Sequence, residues 1–175
     1  GSGVVNTVGI KLEAHVSEGL RELARRAGVP LKSVLLAAHL KVLSSIGGER
    51  DVVTGLVSNG RPETTDGDRV LGLFLNTLPF RLSLDGGTWE EFVAKTFRAE
   101  REMLPYRRYP LSQIQLENGG RAIFDTCFNY VHFHVLEELA SFDELEVLGT
   151  GGVADTNFAL LVNFQLSTQT PEIDV

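Results

Sequence analysis

Residues Asp51–Leu82 read DVVTGLVSNGRPETTDGDRVLGLFLNTLPFRL, and three changes of texture inside that stretch decide the fold class. Asp51 to Ser58 is a short apolar run, the pattern of an interior strand. Asn59 to Arg69 is polar and holds Gly60, Pro62 and Gly67, which makes it a loop. Apolar character returns between Gly72 and Leu84, where a second strand is expected.

Helical patterns lie on both sides of this strand–loop–strand unit. Upstream, Val4 to Glu13 is β-branched and partly alternating, so a strand is expected there. A helix follows with Ser17 as its N-cap and Val16, Leu20, Leu23, Ala24 and Ala27 on one face, and Gly28 stops it. Pro30 opens a second helix to about Ile46, closed by Gly47 and Gly48 and so apolar that burial on most sides is expected. Downstream, Thr88 and Glu91 form a capping box for a helix whose apolar stripe runs from Trp89 to Leu104. Pro105 ends it, and Pro110 opens a short helix to about Leu116. Strands are expected over Phe124 to Val135, Leu145 to Leu148 and Asn157 to Leu166. The order β-α-α-β-β-α-α-β-β-β defines an α/β chain with a mixed sheet and helices on one face.

Composition narrows the function classes. The 175 residues are 43% hydrophobic and 22% charged, enough apolar material for a core. A net charge of -7 argues against nucleic acid, whose phosphates need clustered positive charge. The single cysteine, Cys127, rules out an intrachain disulfide and fits a cytoplasmic setting. No apolar run reaches the ~18 residues of a membrane span. Residues 1–3 read as a tag scar and 4–175 as one unit, which stops directly after a strand and is expected to continue in the natural polypeptide.

Three segments carry a resemblance. The first holds Gly60-Arg61 and then Gly72, Phe74, Asn76, Thr77, Pro79 and Arg81 in a G-x-F-x-N-T-x-P-x-R arrangement. The second, WEEFVAKTFRAEREMLPYRRYPLSQI, is a helix followed by a tyrosine-led loop, Tyr106 to Pro110, in which Arg107 and Arg108 replace acidic and glutamine residues. The third is FDTCFNYVHFH, Phe124 to His134. In this order and spacing they resemble the C-terminal lobe of a nonribosomal peptide synthetase condensation domain, over roughly Val4 to Leu166.

That resemblance implies a chloramphenicol-acetyltransferase-like lobe, one of two that form a V. The family transfers an acyl or peptidyl group from one carrier-protein thioester to an acceptor amine on a second carrier protein. The phosphopantetheine arms of the donor and acceptor carriers enter the tunnel between the lobes, so this chain itself is expected to bind no cofactor. The family's adjacent histidine pair belongs to the N-terminal lobe, and His15, His39, His132 and His134 include no such pair. No catalytic residue is therefore assigned, and the chain alone is expected to be inactive, with the N-terminal lobe as its first partner.

Individual residues keep two readings. Arg61 is either a tunnel-floor or inter-lobe residue, or an ordinary arginine in a turn. Asn76 and Asn129 sit in apolar strands, where an amide lines the tunnel or bonds the backbone. His132 and His134 share a strand face; a metal needs a third ligand, none is evident, and tunnel lining by His132 or plain packing is favoured. Arg107 and Arg108 are candidates for docking acidic carrier proteins, against a plain solvated face with interleaved acids. Cys127 reads as a small buried hydrophobe, and Gly149 to Gly152 as a connector. A strand near Asp155 to Leu166, uncovered once the partner lobe is absent, would invite dimerisation. Alternatives are a coenzyme A-dependent acyltransferase lobe, a catalytically dead binding module, or a metal protein.

Overall fold

The computed structural model describes residues 6–131, 157–166 and 173–174. Its elements run α1 (Ala14–Ala27), α2 (Leu31–Gly47), β1 (Asp51–Asn59), β2 (Leu75–Ser83), α3 (Trp89–Met103), α4 (Leu111–Glu117), β3 (Thr126–Val131), β4 (Leu160–Leu166) and β5 (Ile173–Asp174). Short 3-10 turns cover Gly67–Arg69 and Leu104–Tyr106. The sheet order is β2-β1-β3-β4-β5. β1, β3 and β4 are parallel, while β2 and β5 run antiparallel at the two sides. The mixed α/β sheet expected from the sequence is therefore present.

Two expectations at the N-terminus need correction. Among the described residues, 6–13 form no strand and pair only through a single bridge at Lys11. Strand propensity lasts only where a neighbour takes the backbone groups, and here little does. Ser17 is not the N-cap of α1. The helix starts at Ala14, and the Glu13 carbonyl accepts from the amides of Val16 and Ser17. Ser17 is instead buried inside the helix, its hydroxyl without a partner among the described residues. At the other end Gly28 takes the left-handed conformation, φ 63°, and the Val29 amide reaches back to the Ala24 carbonyl, closing the helix.

α2 is the central helix, as its composition demands. Val34, Leu35, Leu36, Ala37 and Leu40 are buried. Leu35, Leu36 and Leu40 meet Val52, Leu56, Phe80, Leu82, Phe128 and Phe164 from the sheet in the main core. Ala24 of α1 and Val93 of α3 join Val34 and Ala37 in a second cluster on the far side of α2. Helices α1, α2 and α3 thus stack on one face of the sheet, with period-two strand patterning supplying the apolar wall. α3 begins on the predicted capping box: the Glu91 amide donates to Thr88 Oγ1, and the Thr88 amide to the Glu91 carboxylate.

The opposite face of the sheet carries one position that only glycine can occupy. A Cβ at Gly55 would lie 2.5 Å from the Phe124 ring and 2.9 Å from Thr77 Cγ2. The ring of Phe124 therefore rests directly on β1, and it packs against Phe158 at 5.8 Å. β4, where an uncovered strand was expected, pairs with β3 from Leu160 to Gln165, while on its other side β5 meets only Gln165 and Leu166. The expected strand at Leu145 to Leu148 lies outside the described residues. Among those residues no single helix is long and apolar enough to cross a membrane.

Candidate functional site

The loop that leaves the carboxyl end of β1 is a locked structure. The Gly60 amide donates to the Phe74 carbonyl at 2.7 Å, so the β1–β2 ladder continues one step beyond both strands. The Arg61 guanidinium donates to the Val70 carbonyl at 2.7 Å and lies over the Phe74 ring, 4.9 Å from its centroid. Its amide donates to the Asn59 side chain. The far side of the loop is packed as tightly, since a Cβ at Gly67 would fall 2.1 Å from the Pro62 carbonyl oxygen.

A second loop, Tyr106 to Pro110, is pinned against the first. Arg108 donates from Nε to the Gly60 carbonyl at 2.9 Å and from an Nη to the Arg61 carbonyl at 3.1 Å. Arg107 pairs with Glu63 at 2.9 Å, its side chain only 16% exposed. Asn76, one residue into β2, donates its amide to the carbonyls of Arg107 at 3.1 Å and Tyr109 at 2.7 Å. The Tyr109 hydroxyl donates to Glu117 at 2.5 Å; that bond holds the phenol above its usual value and the carboxyl below. Arg61, Asn76, Arg107 and Arg108, expected on separate grounds, thus occupy one junction.

The other expected residues lie elsewhere. Asn129 is on the face of the sheet away from the helices, where its amide donates to Asn163 Oδ1 at 2.9 Å across the β3–β4 pair. His132 and His134 lie outside the described residues. Among the described residues no three potential ligands gather into a metal site.

Sequence reasoning missed Glu63, the partner of Arg107, because a lone acid in a polar loop gives no pairing signal. It also missed Asn163, although an asparagine in an apolar strand carries the same signal as Asn129. A cavity of about 190 Å³ beside the junction went unseen as well; Leu56, Ser58, Leu78, Phe97, Glu100 and Leu104 line it. Its carboxylate, Glu100, is 10% exposed and accepts from Ser33 Oγ while pairing with Lys32 at 3.0 Å.

Solved structures share this fold. The condensation domain from Monacolin K polyketide synthase MokA superposes with a TM-score of 0.75 at 20% identity, over 95% of this chain and 40% of that one. VibH, an NRPS condensation enzyme, gives 0.72 at 22% identity over 95% and 39%. A four-domain nonribosomal peptide synthetase, holo-AB3403, gives 0.82 at 16% identity over 95% and 14%. The fold is therefore the chloramphenicol-acetyltransferase-like α/β class seen in condensation domains.

Sequence comparison carries the assignment from fold to family. AMB antimetabolite synthetase AmbE of Pseudomonas aeruginosa is 39% identical over 173 residues, 95% of this chain and 8% of the relative. Surfactin synthase subunit 1 of Bacillus subtilis is 28% identical over 174 residues, 95% and 5%. The chain spans less than a tenth of the length of these relatives. The family model described as Condensation domain matches residues 2–174, and the chain belongs to that family.

Proposed function

We propose that the chain is the C-terminal lobe of a peptide synthetase condensation domain. In this reading the junction of the Gly60–Arg61 loop, Asn76 and the Tyr106–Pro110 loop forms part of the tunnel wall. The reaction served is amide-bond formation between two carrier-bound thioesters. The acceptor amine attacks the donor thioester carbonyl, the carbon–sulfur bond breaks, and the donor acyl or peptidyl group leaves its phosphopantetheine thiol for the acceptor nitrogen.

The observation that carries this reading is the convergence of Arg61, Asn76, Arg107 and Arg108 on one rigid junction in a condensation-family chain. The junction stands at the carboxyl end of β1, the side of an open α/β sheet where ligands usually bind. Arg107 and Arg108 spend their donors on the junction itself. Their part in carrier docking would therefore run through the loop shape they impose. No adjacent histidine pair exists in the chain, so proton management at the acceptor amine falls to the N-terminal lobe.

The test uses a complete synthetase module with donor and acceptor carriers already loaded. Asn76→Ala and Arg108→Ala should each slow peptide transfer by about tenfold, 1.4 kcal/mol in the barrier, while carrier loading is unchanged. Transfer at the parent rate in both variants sinks the tunnel-wall role. The 175-residue chain alone should give no product from the same thioesters, and product there would overturn the lobe assignment.

A further inference from the structure

Two asparagines stand side by side in the sheet where strand chemistry favours neither. Asn129 of β3 and Asn163 of β4 are register partners in a parallel pair. Asparagine is a poor strand former, and one bond between side chains of neighbouring strands returns little stability. Positions that break a local rule in this way are where function is expected. Their chain neighbours Phe128 and Phe164 turn into the helix-side core, which sets both amides on the opposite face. Along that face Cys127 and Leu161 precede the pair, and Val131 and Gln165 follow it. Asn129 is half-buried and Asn163 is exposed.

The bond between them has a direction. Asn129 Nδ2 donates to Asn163 Oδ1 at 2.9 Å. The Asn129 carbonyl is thereby turned away from Asn163, while the Asn163 carbonyl faces Asn129. A carboxamide carries two N–H groups and an oxygen with two lone pairs, and this bond uses one of each. Among the described residues nothing takes Asn129 Oδ1 or the Asn163 amide. The pair therefore offers a carbonyl that can accept and an amide that can donate. Those are the complements of the N–H and C=O of a secondary amide.

We propose that Asn163 is a positioning residue that holds Asn129 in this orientation, and that the pair binds a secondary amide of the carrier-borne substrate. Such amides occur in the phosphopantetheine arm and in a peptidyl donor, and both supply the same chemistry. This assignment rests on the tunnel-wall reading above, carried from the junction onto the sheet face opposite α1, α2 and α3. Asn129 lies one step beyond the Leu56↔Phe128 pair, toward the carboxyl end of β1 where the junction stands.

The test uses a complete synthetase module, with loaded carriers added as separate proteins. One set of carriers has an ester in place of an arm amide, which deletes the N–H and keeps the carbonyl. A second set has the same replacement in the amide of a dipeptidyl donor. In the parent module one of the two replacements should raise KM for the loaded carrier about tenfold. Asn129→Leu and Asn163→Leu should each raise KM about tenfold on the amide substrates and lose the sensitivity to the ester. The double variant should be no worse than either single one. Leucine suits a strand at least as well as asparagine, so melting temperatures should not fall, which separates lost binding from lost packing. The replacement whose effect vanishes in the variants names the source, arm or donor chain. A parent module indifferent to both replacements overturns the proposal, and so do variants that keep the parent's sensitivity. If Asn76→Ala and Arg108→Ala still slow transfer in that case, only the amide site falls; parent rates in those two remove the tunnel-wall reading as well.

Discussion

His39 shows how one buried side chain sets a pH limit on the fold. It is 6% exposed, and its ring packs at 5.5 Å on Phe128. Its Nε2 lies 3.1 Å from Thr54 Oγ1. Thr54 donates to the Thr126 carbonyl and accepts from Thr126 Oγ1, so His39 Nε2 carries the hydrogen of a neutral ring. Burial pushes its pKa down to about 4. The unfolded chain takes up this proton as pH falls below ~6.5, while the folded chain resists until far lower, so stability is complete above that range and drains away toward pH 4. The full loss amounts to about 3 kcal/mol. Asp51, Asp85 and Glu91 have values held below the usual carboxylate range, so their losses come at lower pH. Urea midpoints should fall between pH 7 and pH 5, and His39→Gln should flatten that slope. An equally steep slope in the variant would assign the effect elsewhere.

At the scale of elements, α3 couples the core to the candidate site. It binds α1 through Arg26 and Glu90, and the start of α2 through Glu100 with Lys32 and Ser33. Its C-terminus feeds the Leu104–Tyr106 turn and then the loop held by Asn76. The capping box fixes where this helix begins. Thr88→Ala should cost about 1 kcal/mol in thermal or chemical melts, and Thr88→Ser should restore most of it. Equal losses in both variants would assign the effect to packing of the threonine methyl. α2 needs no such device: Pro30 makes no side-chain cap bond, and burial of most residues from Ser33 to Leu40 holds it in place, although Val42 and Ile46, expected inside, are exposed.

At the scale of the molecule, Cys127 reports on whether the whole unit opens. It is fully buried in β3, between β1 and β4, and burial raises its thiol to about 11. A thiol reagent can reach it only when the sheet parts. At a stability of roughly 5 kcal/mol or more, labelling in native buffer should be at least a thousandfold slower than in denaturant. It should accelerate in step with the global unfolding curve. Fast labelling in native buffer would mean that β3 opens locally.

Much of this arrangement was legible because local chemistry decided it. Two glycines after an apolar helix, a threonine three residues before a glutamate, and a proline at a helix entry act over a few residues, and α2, α3 and α4 begin or end where such signals stand. Gly60, Arg61, Asn76 and the Arg107–Arg108 pair stood out as residues. Their union did not, because a chain of backbone carbonyls and one distant acid, Glu63, joins them across tens of positions. The sequence alone thus determined fold class, family resemblance and most helix limits, all products of short-range pattern. Only the tertiary structure decided that residues 6–13 form no strand beyond the bridge at Lys11, that Ser17 is interior, and that Glu63 meets Arg107. Each of those depends on which neighbour supplies the missing hydrogen bond or the covering surface, and the chain's linear order does not contain that information.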